Sequence, residues 1–157
     1  MLRKKYVSAA FAGALLLFAA TPAALASPQT SSRANHLLYA VNATRAAHHL
    51  GPLHFDARLA RAARAHTYEM LRENVFTHGS FYGRMVSFHL TGSLGENLAW
   101  GSGSLGEAWS IVRMWLASPP HRANLLRPAY RRLGLGVATG RFQGSAGATV
   151  VTADFGG

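Results

Sequence analysis

The sequence predicts an α+β domain in which helices pack on an antiparallel sheet. Apolar residues recur at helical spacing through residues 32–50, 56–73 and 105–117, and β-rich segments at 132–138 and 148–155 are joined by a Gly-rich turn. Internal repeats, low-complexity tracts and heptads are absent. Residues 27–157 are enough for one domain burying about two-thirds of its unfolded surface.

The chain opens on Arg3-Lys4-Lys5, an apolar run over 7–20 and the small-residue sequence Ala24-Leu25-Ala26. This predicts a signal peptide over 1–26, cleaved near Ala26, and a mature chain that is secreted or held in the cell envelope. The run is shorter than the ~20 residues a membrane-spanning helix requires, and no second one follows, so no transmembrane span is expected in the mature chain. Residues 27–34 read as a flexible lead and 35–157 as the domain. There is no cysteine, which excludes disulfides, thiol chemistry and thiolate metal sites. From residue 27 onward thirteen arginines face six acids, a formal charge of +7. Such a chain favours anionic surroundings, and export points to wall polymers or lipid headgroups; nucleic acid is not expected.

Ser32 is placed to cap a helix running to about Leu50, stopped by Gly51-Pro52. Leu37, Leu38, Val41 and Arg45 share one sector of about 100°, so Arg45 is predicted to face the core and to need carbonyl or carboxylate partners. After the connector 52–55, Asp56 caps a second helix to about Glu73. Its apolar face is Leu59, Ala62, Ala63, His66 and Met70, with Arg58, Arg61, Arg64 and Arg72 opposite. His66 is read as a hydrogen-bonded core histidine. A breaker-rich stretch over 74–83 leads to a short helical segment at 84–89, and Thr91-Gly92-Ser93 turns the chain into Gly95-Glu96-Asn97. A third helix is predicted over 105–117, with a new helical turn opened by Ser118 as N-cap and Pro119 at the first position. The two C-terminal β-rich segments are read as a hairpin.

His78, Glu96 and His121 are the residues best suited to chemistry. Two imidazoles and a carboxylate are the donor set of an open His2Glu site for zinc or another divalent cation. Their separations of 18 and 25 residues match no local metal motif, so the residues alone leave two alternatives, a site or scattered structural histidines. No Gly-x-Ser-x-Gly elbow and no phosphate-binding Gly loop are present.

Several ordered motifs together resemble the CAP superfamily: cysteine-rich secretory proteins, antigen 5 and pathogenesis-related 1 proteins, or SCP-like domains. They are Val41-Asn42 with Arg45, Phe76-Thr77-His78, Gly95-Glu96-Asn97-Leu98-Ala99-Trp100, Trp115, Ser118-Pro119-Pro120-His121-Arg122-Ala123-Asn124-Leu125, Leu133-Gly134-Leu135-Gly136-Val137 and Asp154-Phe155-Gly156. The resemblance is to the cysteine-free bacterial branch and covers residues 35–156. It implies an α-β-α sandwich with a central antiparallel sheet flanked by helices, its missing strand best placed at Leu98-Ala99-Trp100. It also implies a cleft where His78, Glu96 and His121 converge on a metal, with Asn42, Arg45, Asn97, Trp100, Trp115, Arg122 and Asn124 as structural motif residues. The family's second Glu is absent, since Ala117-Ser118 stands in its place. Three functions are carried forward. They are an extracellular binding module for a divalent metal, small ligand, lipid, sterol or wall component; a metal-dependent hydrolase using His78, Glu96 and His121, with Glu96 as the catalytic group; and a structural envelope protein.

Overall fold

A computed structural model describes residues 28–157, so the predicted signal peptide and its cleavage site lie outside the described residues. Helix α1 (Pro28–Ala47) is followed by β1 (His54–Phe55), α2 (Ala57–Glu73), α3 (Phe81–Ser87) and β2 (Leu94–Gly101). A 3₁₀ turn (Gly103–Gly106), α4 (Ala108–Ala117), α5 (Pro119–Leu125), β3 (Arg132–Phe142) and β4 (Ser145–Gly156) complete the chain. The sheet order is β1-β3-β4-β2. Strands β2 and β3 flank β4 antiparallel, and the two-residue β1 adds a short parallel edge to β3. The α+β class is confirmed, and the connector at 52–55 proves to contribute that edge.

Strand alternation splits the core in two. Leu133, Leu135 and Val137 of β3, with Val151, Ala153 and Phe155 of β4, pack against Leu37, Val41, Ile111, Trp115 and Leu125 from α1, α4 and α5. The opposite face carries Gly134 and Gly136, over which α2 lies. A Cβ on Gly134 would sit 2.1 Å from the backbone nitrogen of Ala60, and one on Gly136 2.4 Å from the carbonyl oxygen of Ala63. The alternating Leu-Gly-Leu-Gly pattern thus lets a helix approach one face while leucines fill the other. The outcome is the helix–sheet–helix sandwich that the resemblance implied.

Helix α1 begins at Pro28, inside the segment read as a flexible lead, so Ser32 is a helical residue and not its cap. It ends at Ala47, and Leu50 closes the turn beyond by donating to the carbonyl of Arg45. Arg45 is fully buried, as its helical phase predicted. Its Nε donates to Gly51 O at 2.9 Å, Nη1 to Leu125 O at 2.9 Å and Arg127 O at 3.2 Å, and Nη2 to Tyr130 O at 3.4 Å. One side chain therefore ties α1 to the segment between α5 and β3. Asn42 acts similarly on a smaller scale, exchanging two hydrogen bonds with the backbone of Leu53.

Asp56 caps α2 by accepting from the amides of Arg58 and Leu59. The expected apolar face is buried, His66 included. His66 is held by Glu69 at 2.9 Å and the Thr77 carbonyl at 2.8 Å, a structural histidine. Helix α3 starts at Phe81 rather than Arg84, and α4 at Ala108, residues 103–106 taking the tighter 3₁₀ turn. Ser118 precedes α5 with Pro119 at its first position, although its hydroxyl makes no capping bond. The β3–β4 turn centres on Gln143 and Gly144, at φ 48° and 80°, the left-handed pair that a two-residue hairpin loop requires.

Candidate functional site

Gly95-Glu96-Asn97 forms part of strand β2 and not the turn its glycine context suggested. Alternation sends the two polar side chains to opposite faces. Glu96 shares the α2 side with Leu98 and Trp100; Asn97 faces α5 on the other.

Asn97 is fully buried, donates to His121 O at 2.9 Å and accepts from Asn124 Nδ2 at 3.0 Å. Asn124 also donates to Glu96 O at 3.1 Å. These amide contacts dock α5, which carries His121, against the strand that carries Glu96. Gly95 is required beside them, because a Cβ there would lie 2.3 Å from Tyr130 Oη and 2.8 Å from Asn124 Oδ1. Trp115, also fully buried, binds α4 to β2 by donating from Nε1 to Leu98 O at 3.0 Å. Of the remaining motif residues, Trp100 packs edge-on against Phe142, with centroids 5.5 Å apart, away from the cleft. Arg122 is exposed and makes no side-chain hydrogen bond among the described residues.

The Glu96 side chain is almost wholly buried. His78, from the loop between α2 and α3, donates from Nδ1 to Glu96 Oε1 at 2.7 Å. Arg84 of α3 pairs with Oε2 and also reaches the His78 carbonyl at 3.4 Å. The His78 ring remains half-exposed and faces His121, with ring centroids 6.3 Å apart. The structure thus places His78 against Glu96 on one side and beside His121 on the other. With Nδ1 committed to the carboxylate, His78 keeps Nε2 for another partner, in the arrangement by which a carboxylate orients a working imidazole. Burial, and then the neighbouring His78, lower the pKa of His121, which favours its neutral form.

Two further residues complete the floor. Arg84 supplies the cation opposite Glu96, and Asp154 of β4 stands across the strand register from Glu96. Asp154 is fully buried, and neither of its carboxyl oxygens has a hydrogen-bond partner among the described residues; nor has Arg84 Nε. Burial and the adjacent Glu96 charge, partly offset by Arg84, push the Asp154 carboxyl up to about 8. A second carboxyl therefore lies at the site, supplied by the last strand. The position at Ala117-Ser118 falls instead where α4 gives way to α5.

This geometry tests the metal expectation. Both Glu96 oxygens are engaged, one of them by a guanidinium, and among the described residues no group of three or more His, Cys, Asp or Glu is arranged around a common point for a cation. A three-donor centre using Glu96 as a ligand does not fit, because an added cation would compete with Arg84 for the same charge. The two imidazoles are left as donors, with Glu96 behind one of them.

Helices on both faces of a sheet, with paired imidazoles over a strand-borne glutamate, define the CAP class of domain. The sequence profile of the cysteine-rich secretory protein family matches residues 38–155, and the chain belongs to that family. It is 36% identical over 101 residues to the uncharacterized protein YkwD of Bacillus subtilis, covering 60% of this chain and 38% of that protein. It is also 36% identical over 104 residues to pathogenesis-related protein 1 of Arabidopsis thaliana, covering 66% of this chain and 57% of the relative. The chain therefore spans well under two-thirds of the length of these relatives.

Two solved structures share the fold. A cysteine-rich secretory protein of Staphylococcus aureus is 21% identical, with TM-score 0.67, over 83% of this chain and 40% of that one. An outer surface protein of Borrelia burgdorferi is likewise 21% identical, with TM-score 0.66, over 80% of this chain and 93% of its own.

Proposed function

We propose that this protein is an extracellular binding module whose His78/His121 cleft holds a small hydrogen-bonding ligand, such as a polar group of a wall component, without turning it over. One observation carries this reading: Glu96 holds the half-exposed His78 ring through Nδ1, leaving Nε2 for another partner, with the His121 ring 6.3 Å away between centroids. The extracellular setting is supported by the signal-peptide pattern at the N-terminus and by the secretory and outer-surface descriptions of the two structural neighbours. No helix among the described residues is long and apolar enough to cross a membrane. A divalent cation held by the two imidazoles alone is the simplest ligand to test.

Histidine ring resonances of the purified chain, titrated separately with zinc chloride and with a soluble muropeptide, test the proposal. His78 and His121 should respond together to one probe, and His78→Ala or His121→Ala should abolish the response. If neither probe moves either ring, the cleft is not the binding site proposed.

The His78–Glu96 pair also resembles a base with its orienting carboxylate, which favours a hydrolytic second reading. That reading requires turnover of an ester, peptide or glycan that is lost in Glu96→Gln. Equal background activity in parent and variant rejects it.

A further inference from the structure

The composition poses a question the cleft does not answer. Residues 27–157 hold thirteen arginines and no lysine. Lysine serves as well as arginine for solubility, whereas arginine alone offers a planar fork of donors suited to phosphate and carboxylate.

The six acids are already occupied. Asp56 pairs with Arg132 at 3.0 Å, Glu73 with Arg72 at 3.0 Å, Glu107 with Arg33 at 3.9 Å and Glu69 with His66 at 2.9 Å. Glu96 pairs with Arg84, and Asp154 is buried beside it. No acid remains for Arg58 or Arg61 among the described residues. Both line an open cavity of about 500 Å³ at the N-terminal end of α2, together with Phe55, Asp56, Ala57 and Arg132.

The guanidinia around this cavity are partly pre-set. Arg58 Nη1 donates to His89 O at 3.2 Å, and Arg132 is fixed by Asp56 and by Gly157 O at 3.2 Å. Arg61 lies one helical turn beyond Arg58 on the same face of α2. The positive end of a 17-residue helix opens beside all three. Asp56 is the one acid in the wall, and its charge is committed to Arg132 and to the helix cap. The cavity shares no residue with the His78/His121 cleft.

We propose that this cavity is a phosphate-binding site, filled by a phosphate group of an extended polyanionic chain. Arg58 and Arg61 supply the contacts, and Arg132 supplies fixed positive charge behind them. A thin chain suits a concave site with its guanidinia in the walls better than a flat bilayer does. This site is independent of the ligand proposed for the cleft.

The test is binding of fluorescently labelled inorganic polyphosphate to the purified chain across a salt series. The double variant Arg58→Gln/Arg61→Gln is compared with Arg64→Gln/Arg141→Gln, which removes the same charge outside the cavity. The first pair should weaken binding by about tenfold for each arginine, the order of one charge-assisted hydrogen bond. It should also flatten the dependence of log affinity on log salt by about one to two, as expected for two lost phosphate contacts. The second pair should stay within about twofold of the parent, as should His78→Ala. Thermal melting checks that each variant folds, and the single variants Arg58→Gln and Arg61→Gln repeat the test if the double does not. Equal weakening by both double variants would overturn the site in favour of diffuse charge. Absence of polyphosphate binding, or binding only to phosphatidylglycerol vesicles, would overturn it as well.

Discussion

Glu96 has both carboxylate oxygens engaged by the protein, His78 on one and Arg84 on the other. Glu96→Ala would leave the largely buried Arg84 guanidinium unpaired, and a broken buried pair destabilises by about 3–5 kcal/mol. The loss should appear in the midpoint of urea unfolding. Asp154 gives a test of opposite character. Its carboxyl is raised from 3.8 to about 8, so between those values the folded chain keeps a proton that the unfolded chain has released. Stability contributed by this group is complete at low pH, falls as pH rises through that window, and levels off above about 8. Asp154→Asn should flatten that slope and be the more stable form at pH 9, as read from melting temperature against pH. Neither Arg84 nor Asp154 was singled out in the sequence as part of the site. Asp154 did leave a signal, the one charged residue in the β-rich run 148–155, but its partner became evident only with the register that sets it opposite Glu96.

At the scale of elements, two contacts decide whether the site assembles. Gly134 lets α2 lie directly on β3, and Gly134→Ala would force a methyl against the backbone at Leu59 and Ala60. Backbone cannot step aside as a flexible side chain can, so a loss of at least about 1–3 kcal/mol is expected in equilibrium unfolding. Asn124 acts between α5 and β2. Asn124→Ala removes its bonds to Glu96 O and Asn97 Oδ1, leaving a buried acceptor on Asn97, for a loss of about 1–3 kcal/mol. The same variant should shift the His121 ring resonance while leaving that of His66 in place, which distinguishes loosening of α5 from general destabilisation. Helix α2 was legible in the sequence because its cap and apolar stripe are local properties. The second half of β2 was placed correctly at Leu98-Ala99-Trp100 through the resemblance, whereas its first half was hidden because Gly95-Glu96-Asn97 imitates a turn. What makes it a strand is pairing with residues some fifty positions later, which local pattern does not contain.

For the whole molecule, the resemblance indicated the sandwich and the approximate position of the cleft, whereas periodicity alone yielded three helices, a further helical turn and a hairpin. The reason is topological: β4 lies between its hairpin partner β3 and β2, so the sheet is completed on either side of that hairpin by strands, β1 and β2, that come much earlier in the chain. A chain ending at Gly144 should show no cooperative thermal transition by circular dichroism, although its helical sequences are intact. If it melts cooperatively, the sheet is less central to stability than its position implies. The same arrangement governs when the protein becomes itself. A chain made from its N-terminus has α1, α2 and both histidines of the cleft long before the strand that bears Asp154 exists. Until β4 is made, Glu96 lacks its neighbouring strand and the two leucine- and glycine-lined faces of β3 have no completed sheet to belong to. Closing of the sheet, and with it the placement of Asp154 against Glu96, thus waits on β4.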